Sequence, residues 1–112
     1  WAADGSLAVC DTGNHRIVWL DPGSGAVAAA VPLPGGWPDF YSRPQLARLP
    51  GGRLLATDPP GRRLWLVTRR GARAVELAGT GVVPGGVAVG PDGVVYLGDL
   101  EGRLWRLEVG DG

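Results

Sequence analysis

Three aspartates pose the first chemical question. Asp11, Asp58 and Asp99 each stand six residues after a glycine, Gly5, Gly52 and Gly93. Carboxylates that meet could hold a cation. Recurrence points elsewhere, because a short acid at the end of a strand accepts hydrogen bonds from the N–H groups of the turn that follows. A catalytic acid is not needed three times over, so these residues are read as structural. Trp65 and Trp105, at matching places after Asp58 and Asp99, are read the same way. Cys10 is the single thiol, and its counterparts are Thr57 and Gly98. That slot asks for a small residue, and no acid or base is tied to it by spacing, so an inert packed thiol is expected. One cysteine also leaves no internal disulfide. His15 is the only imidazole and Asn14 the only asparagine. Zinc takes three or four protein ligands, which these residues alone do not supply. No catalytic residue, metal or cofactor is assigned. Gly79-Thr80-Gly81 has no helix after it to present N–H groups to phosphate.

The strongest binding candidate is the stretch Pro32–Pro44. Trp37, Phe40 and Tyr41 fall within five positions there, beside Asp39 and Arg43. Exposed aromatics with an arginine are the usual material of binding hot spots. The bland alternative is a plug of rings folded over the junction beneath. The turns holding His15 and Arg62 should lie on the same face as this stretch, and both residues join the candidate binding set.

Charge is distributed unevenly although the total is zero. Residues 1–42 carry one Arg against four Asp, a net of −3. Residues 43–73 carry eight Arg against Asp58, a net of +7, and residues 74–112 carry two Arg against six acids, a net of −4. Arg43 and Arg62 belong to one face, and Arg53, Arg69 and Arg70 to the opposite one. No single basic patch follows, which argues against nucleic acid as a partner. A basic middle meeting acidic neighbours is the simpler reading.

The elements that must position these residues follow from composition and period. The chain has 112 residues with 20 Gly and 10 Pro, punctuation suited to many short strands joined by turns. Arginine supplies all 11 basic residues, Met is absent and Ile occurs once, a pattern we attribute to the coding bias of a GC-rich bacterial genome. The first residue is Trp1, so a processed chain or a piece of a longer one is expected. No apolar run reaches the ~18 residues of a membrane span. Period-2 apolar segments predict ten strands, at 7–10, 17–20, 26–31, 45–49, 53–57, 64–68, 73–77, 87–90, 94–98 and 104–109. No independent helix is expected, since the alanine-rich run 26–31 is short and bounded by Gly and Pro. The recurring glycines lie 47 and 41 residues apart. Short strands repeated at that period are the signature of β-propeller blades. The expected fold is all-β, one propeller segment over 1–112 built of four-stranded antiparallel blades: blade one 1–34, blade two 43–78 and blade three 84–112. Blade one lacks its innermost strand and blade three its outermost. Three blades fall short of the 4–8 of a closed ring, so open edges should seek partners.

Asp4-Gly5 through Leu20, with Asn14-His15 and with Ile17 in place of leucine, resembles the motif of the NHL-repeat propellers. Val87-Ala88-Val89-Gly90-Pro91-Asp92-Gly93 is similar to the inner strand and first turn of an NHL blade. Blade two departs, with Pro59-Pro60 where Thr-Gly-Asn is expected. The resemblance implies six-bladed closure and usually a binding role. Ala56-Thr57-Asp58 with Gly61-Arg62 and Trp65 is also similar to the tryptophan-docking motif of PQQ-type propellers, whose indole wedges between blades. NHL-type lyases that use zinc need several histidines, and lactonase-type propellers hold their metal with Asn and acidic residues, so this chain would need ligands from elsewhere.

The expected function is a non-enzymatic binding or scaffolding module for a protein, peptide or glycan, in a bacterial envelope or extracytoplasmic setting. Two alternatives stand beside it. One is a fragment of a metal-dependent propeller hydrolase or lyase. The other is a structural half-propeller that joins the rest of its parent chain, or pairs with itself as a homodimer, three blades plus three.

Overall fold

The computed structural model describes residues 1–2, 4–33, 45–59, 61–77 and 82–108. Ten strands form among them: β1 (Leu7–Asp11), β2 (Arg16–Leu20), β3 (Val27–Pro32), β4 (Leu46–Arg48), β5 (Leu54–Asp58), β6 (Arg63–Thr68), β7 (Gly71–Glu76), β8 (Pro84–Val89), β9 (Val95–Asp99) and β10 (Leu104–Leu107). Each falls where the alternation of apolar residues predicts one. The clearest departure is β8, which begins at Pro84 and absorbs the extra residues as an irregularity between Pro84 and Val87. Two single 3-10 turns, Thr12–Asn14 and Pro50–Gly52, sit between strands and take the place of helices.

The strands make three antiparallel sheets. Sheet one is β1-β2-β3, sheet two β4-β5-β6-β7 and sheet three β8-β9-β10. Each sheet is a meander in which consecutive strands are hydrogen-bonded neighbours. The fold is all-β and forms part of a β-propeller.

The glycine cadence has a conformational cause. Gly5, Gly52 and Gly93 hold φ of +86°, +80° and +82°. A Cβ at that left-handed angle crowds the backbone, so the turn entering the second strand of each blade requires glycine.

Sheet two lies between the other two, and its sequence shows it. All five residues of β5 are buried, as are Leu64–Val67 of β6. A strand covered on both faces reads as a continuous apolar run. Leu54, Ala56, Trp65 and Val67 join Ile17, Trp19, Val31 and Leu33 in the cluster shared with sheet one. Leu55, Leu64 and Leu66 point the other way, into a cluster with Val95 and Leu97 of sheet three. Period-2 geometry thus sends alternate residues of one strand into two different cores.

Candidate functional site

The recurring aspartates end β1, β5 and β9, each opposite an arginine at or just before the start of the next strand: Asp11 with Arg16, Asp58 with Arg63, and Asp99 with Arg103 across the turn. Antiparallel pairing turns sequence neighbours into cross-strand neighbours. Arg16 Nε donates to Asp11 Oδ2 at 2.7 Å, Arg63 Nε to Asp58 Oδ2 at 2.8 Å, and Arg103 Nε to Asp99 Oδ2 at 3.1 Å. In blades two and three the indole joins the same oxygen. Trp65 Nε1 and Trp105 Nε1 each donate to Oδ2 at 3.2 Å. The second carboxylate oxygen accepts a backbone N–H from the turn, Gly61 at 3.1 Å for Asp58 and Glu101 at 2.7 Å for Asp99. The guanidinium also lies over the indole, 4.6 Å from its centroid for Arg63 on Trp65 and 5.3 Å for Arg103 on Trp105. Each unit is an acid, a cation and an aromatic ring locked across one hairpin.

Blade one keeps the acid and the cation but not the ring. The register partner of Val9 is Val18, the place that Trp65 and Trp105 hold opposite Ala56 and Leu97. Trp19 is one residue further on and so faces the opposite way, into sheet two. Asn14 Nδ2 fills part of the gap, donating to Asp11 Oδ2 at 3.0 Å. The side chain of Asp11 is 28% exposed, against 3% for Asp58 and none for Asp99.

These contacts set the titration of Asp11 and Asp99. The Arg16 hydrogen bond, then Asn14, holds Asp11 below the ordinary carboxylate value. For Asp99 the Glu101 N–H leads, with Trp105 and Arg103 adding to it against a smaller opposing effect of burial. A depressed native value stabilises the fold fully above the unfolded carboxylate pKa of about 3.9. That contribution is lost as pH falls through the lower native values. The backbone N–H bonds match the turn role read from sequence. Sequence reasoning missed the arginine and indole partners. Their signal is present in the arginine that follows every turn and in the tryptophan two positions beyond it in blades two and three.

The remaining candidates divide. His15 and Arg62 occupy one turn position, each immediately before the locking arginine, with φ of +53° and +52°. The third counterpart is Gly102, at +91°. Both side chains are exposed. Because the position favours glycine, Arg62→Gly is expected to leave the urea midpoint unchanged or raise it, by up to about 1 kcal/mol in stability. Trp37, Asp39, Phe40, Tyr41 and Arg43 lie outside the described residues. Cys10 is half-buried, and burial pushes its thiol up to about 12, so it stays protonated at neutral pH. Among the described residues no three His, Cys, Asp or Glu side chains gather as a metal site would require.

The basic middle blade does meet an acidic neighbour. Arg69 Nη2 bridges from the β6–β7 turn to Asp4 Oδ2 at 2.6 Å and Ser6 Oγ at 3.1 Å, and its guanidinium lies 5.8 Å from the Trp19 ring. Other arginines come together on the face opposite Arg62. Arg53, Arg70 and Arg73 line one cavity of about 360 Å³ with Leu66, Thr68 and Ala72. Arg53 directly precedes β5, Arg70 lies in the β6–β7 turn and Arg73 on β7, so the meander brings Arg53 and Arg70 to the one face on which the sequence places them, and Arg73 joins them there.

Comparison with known proteins agrees with this architecture. A family model described as "Strictosidine synthase-like, N-terminal" matches residues 70–107, about a third of the chain. No curated protein matches. A catalytically inactive virginiamycin B lyase from Staphylococcus aureus, solved with quinupristin, superposes with a TM-score of 0.69 at 14% identity, over 99% of this chain and 40% of that one. A streptogramin B lyase gives 0.67 at 13% identity over 99% and 39%. Hydrazine synthase of Kuenenia stuttgartiensis gives 0.65 at 19% identity over 84% and 26%. The chain therefore spans about 40% of the length of the lyases it resembles. At these identities the likeness establishes the fold, a partial β-propeller.

Proposed function

We propose that the chain is a non-enzymatic binding and scaffolding segment of an NHL-like propeller, whose sheet faces recruit a neighbouring blade. One correspondence supports this reading. Leu55 and Leu64 are fully buried where sheet three covers sheet two, while their register equivalents on sheet three, Tyr96 and Leu104, are 48% and 89% exposed. At the other end Val9, the equivalent of the buried Ala56, is 39% exposed. Three positions that join blades inside the chain thus stand open on its outer sheets, while Val18, the register equivalent of Trp65, is 5% exposed.

The occupant we assign to the face of sheet three is sheet one of a second copy. Its Leu7 and Val9 are the counterparts of Leu54 and Ala56, the residues sheet two turns toward its own neighbour. Three sheets from each copy would then close a ring of six. Both joining segments are acidic, −3 over 1–42 and −4 over 74–112, so the joints repel at low ionic strength and tighten as salt screens them. Sedimentation equilibrium tests this. Mass should double between dilute buffer and about 0.5 M salt, where the Debye length is a few ångströms, and Leu104→Glu should remain monomeric with unchanged melting. A monomer at every salt and at high concentration would overturn the assignment.

Two observations favour other readings. Trp65 is buried between sheets one and two with its N–H on Asp58, the arrangement that a PQQ-type docking motif implies. The likeness to the lyases favours a segment of a propeller lyase or hydrolase. Metal analysis of the purified protein separates the enzyme reading from the scaffold, since a tightly held divalent ion supports the former.

A further inference from the structure

We propose that the cavity beside the β6–β7 turn is a binding site for a phosphate or sulfate group carried on a small molecule. This is independent of how the sheet faces assemble. Three arginines line it from two parts of the chain, Arg53 just before β5, and Arg70 and Arg73 in the turn and on β7. Among the described residues its lining contains no acidic side chain. Arg53 and Arg73 make other contacts as well, but a guanidinium has five donors and is not exhausted by one partner.

The rest of the lining suits an oxyanion. Thr68 Oγ accepts the Arg70 backbone N–H at 3.2 Å, which leaves the hydroxyl proton to donate into the cavity. Leu66, 7% exposed, supplies an apolar wall, and charge-assisted hydrogen bonds are the stronger ones. Several arginines at one site suit a tetrahedral anion with its many acceptor positions, whereas a carboxylate is satisfied by one bidentate arginine. The surrounding segment, with its net of +7 over residues 43–73, adds a field of the right sign. At about 360 Å³ the cavity has room for the anion and a sugar-sized substituent.

Calorimetric titration of the intact chain with inorganic phosphate, phenyl phosphate, sulfate and acetate tests the assignment. Phosphate and phenyl phosphate should bind, sulfate comparably and acetate at least tenfold more weakly, and added sodium chloride should weaken all of them. Arg70→Gln and Arg73→Gln should each reduce phosphate affinity about tenfold, while Arg106→Gln, on sheet three, should leave it unchanged. Melting curves confirm that the variants are folded. No heat with either phosphate, acetate binding equal to phosphate, or affinity indifferent to Arg70 and Arg73 would overturn the proposal.

Discussion

Asp58→Ala is expected to lower the unfolding free energy by about 3–5 kcal/mol, the cost of removing one partner from a buried ion pair. The carboxylate is 3% exposed and accepts from Arg63, Trp65 and the Gly61 N–H. Its loss strands an indole N–H in the cluster between sheets one and two, and leaves a guanidinium that is only 27% exposed without its counter-charge. Asp58→Asn should fall between, since an amide keeps one acceptor but turns an NH2 toward groups that can only donate. Asp11→Ala should cost clearly less, because its carboxylate is partly solvated and binds no indole. Urea unfolding with an unchanged m-value reads the difference. Equal losses at Asp11 and Asp58 would contradict the role given to burial.

Trp65→Ala should be comparably severe, about 3–5 kcal/mol for an aromatic removed from a packed interior. Trp65 is 5% exposed and fills space that Ile17, Trp19 and Val67 cannot collapse to occupy. Trp65→Phe divides the effect. It retains most of the ring but abandons the bond to Asp58, so about 1–2 kcal/mol of loss is expected. Trp105→Ala should cost less than Trp65→Ala, because Trp105 is only partly buried at the margin of its cluster. A Trp65→Phe variant as unstable as Trp65→Ala would mean that the indole N–H dominates and packing does not.

Most of the fold was legible because its rules are local. Alternation placed β1 through β10, and the left-handed glycines at 5, 52 and 93 marked where each second strand begins. The locking units were half legible. The aspartates announced themselves by recurrence, but their strongest partners lie across a hairpin, and register decides whether a tryptophan joins them. Trp19 shows this: one step along the strand puts it on the opposite face from the place Trp65 holds in its own blade. The arginine cavity was half legible too, since the sequence puts Arg53 and Arg70 on one face but does not add Arg73 to them. Arg53 and Arg73 stand twenty positions apart and come to one cavity through the order of strands in sheet two. The sequence places His15 and Arg62 in turns; their shared left-handed backbone, which residue type does not announce, comes from the structure.

The account rests on the aspartate of each blade holding the next strand, with the indole as a third member in blades two and three. A pH titration of the tryptophan indole N–H signals by NMR tests this most directly. At neutral pH the Trp65 and Trp105 protons should exchange with water far more slowly than that of Trp1, whose side chain is largely exposed. The Trp105 signal should hold its position down to about pH 4, and shift only below the ordinary carboxylate value near 3.9, as Asp99 takes up its proton. Trp65 and Trp105 exchanging as fast as Trp1, or a Trp105 signal indifferent to acid while the chain stays folded, would contradict it.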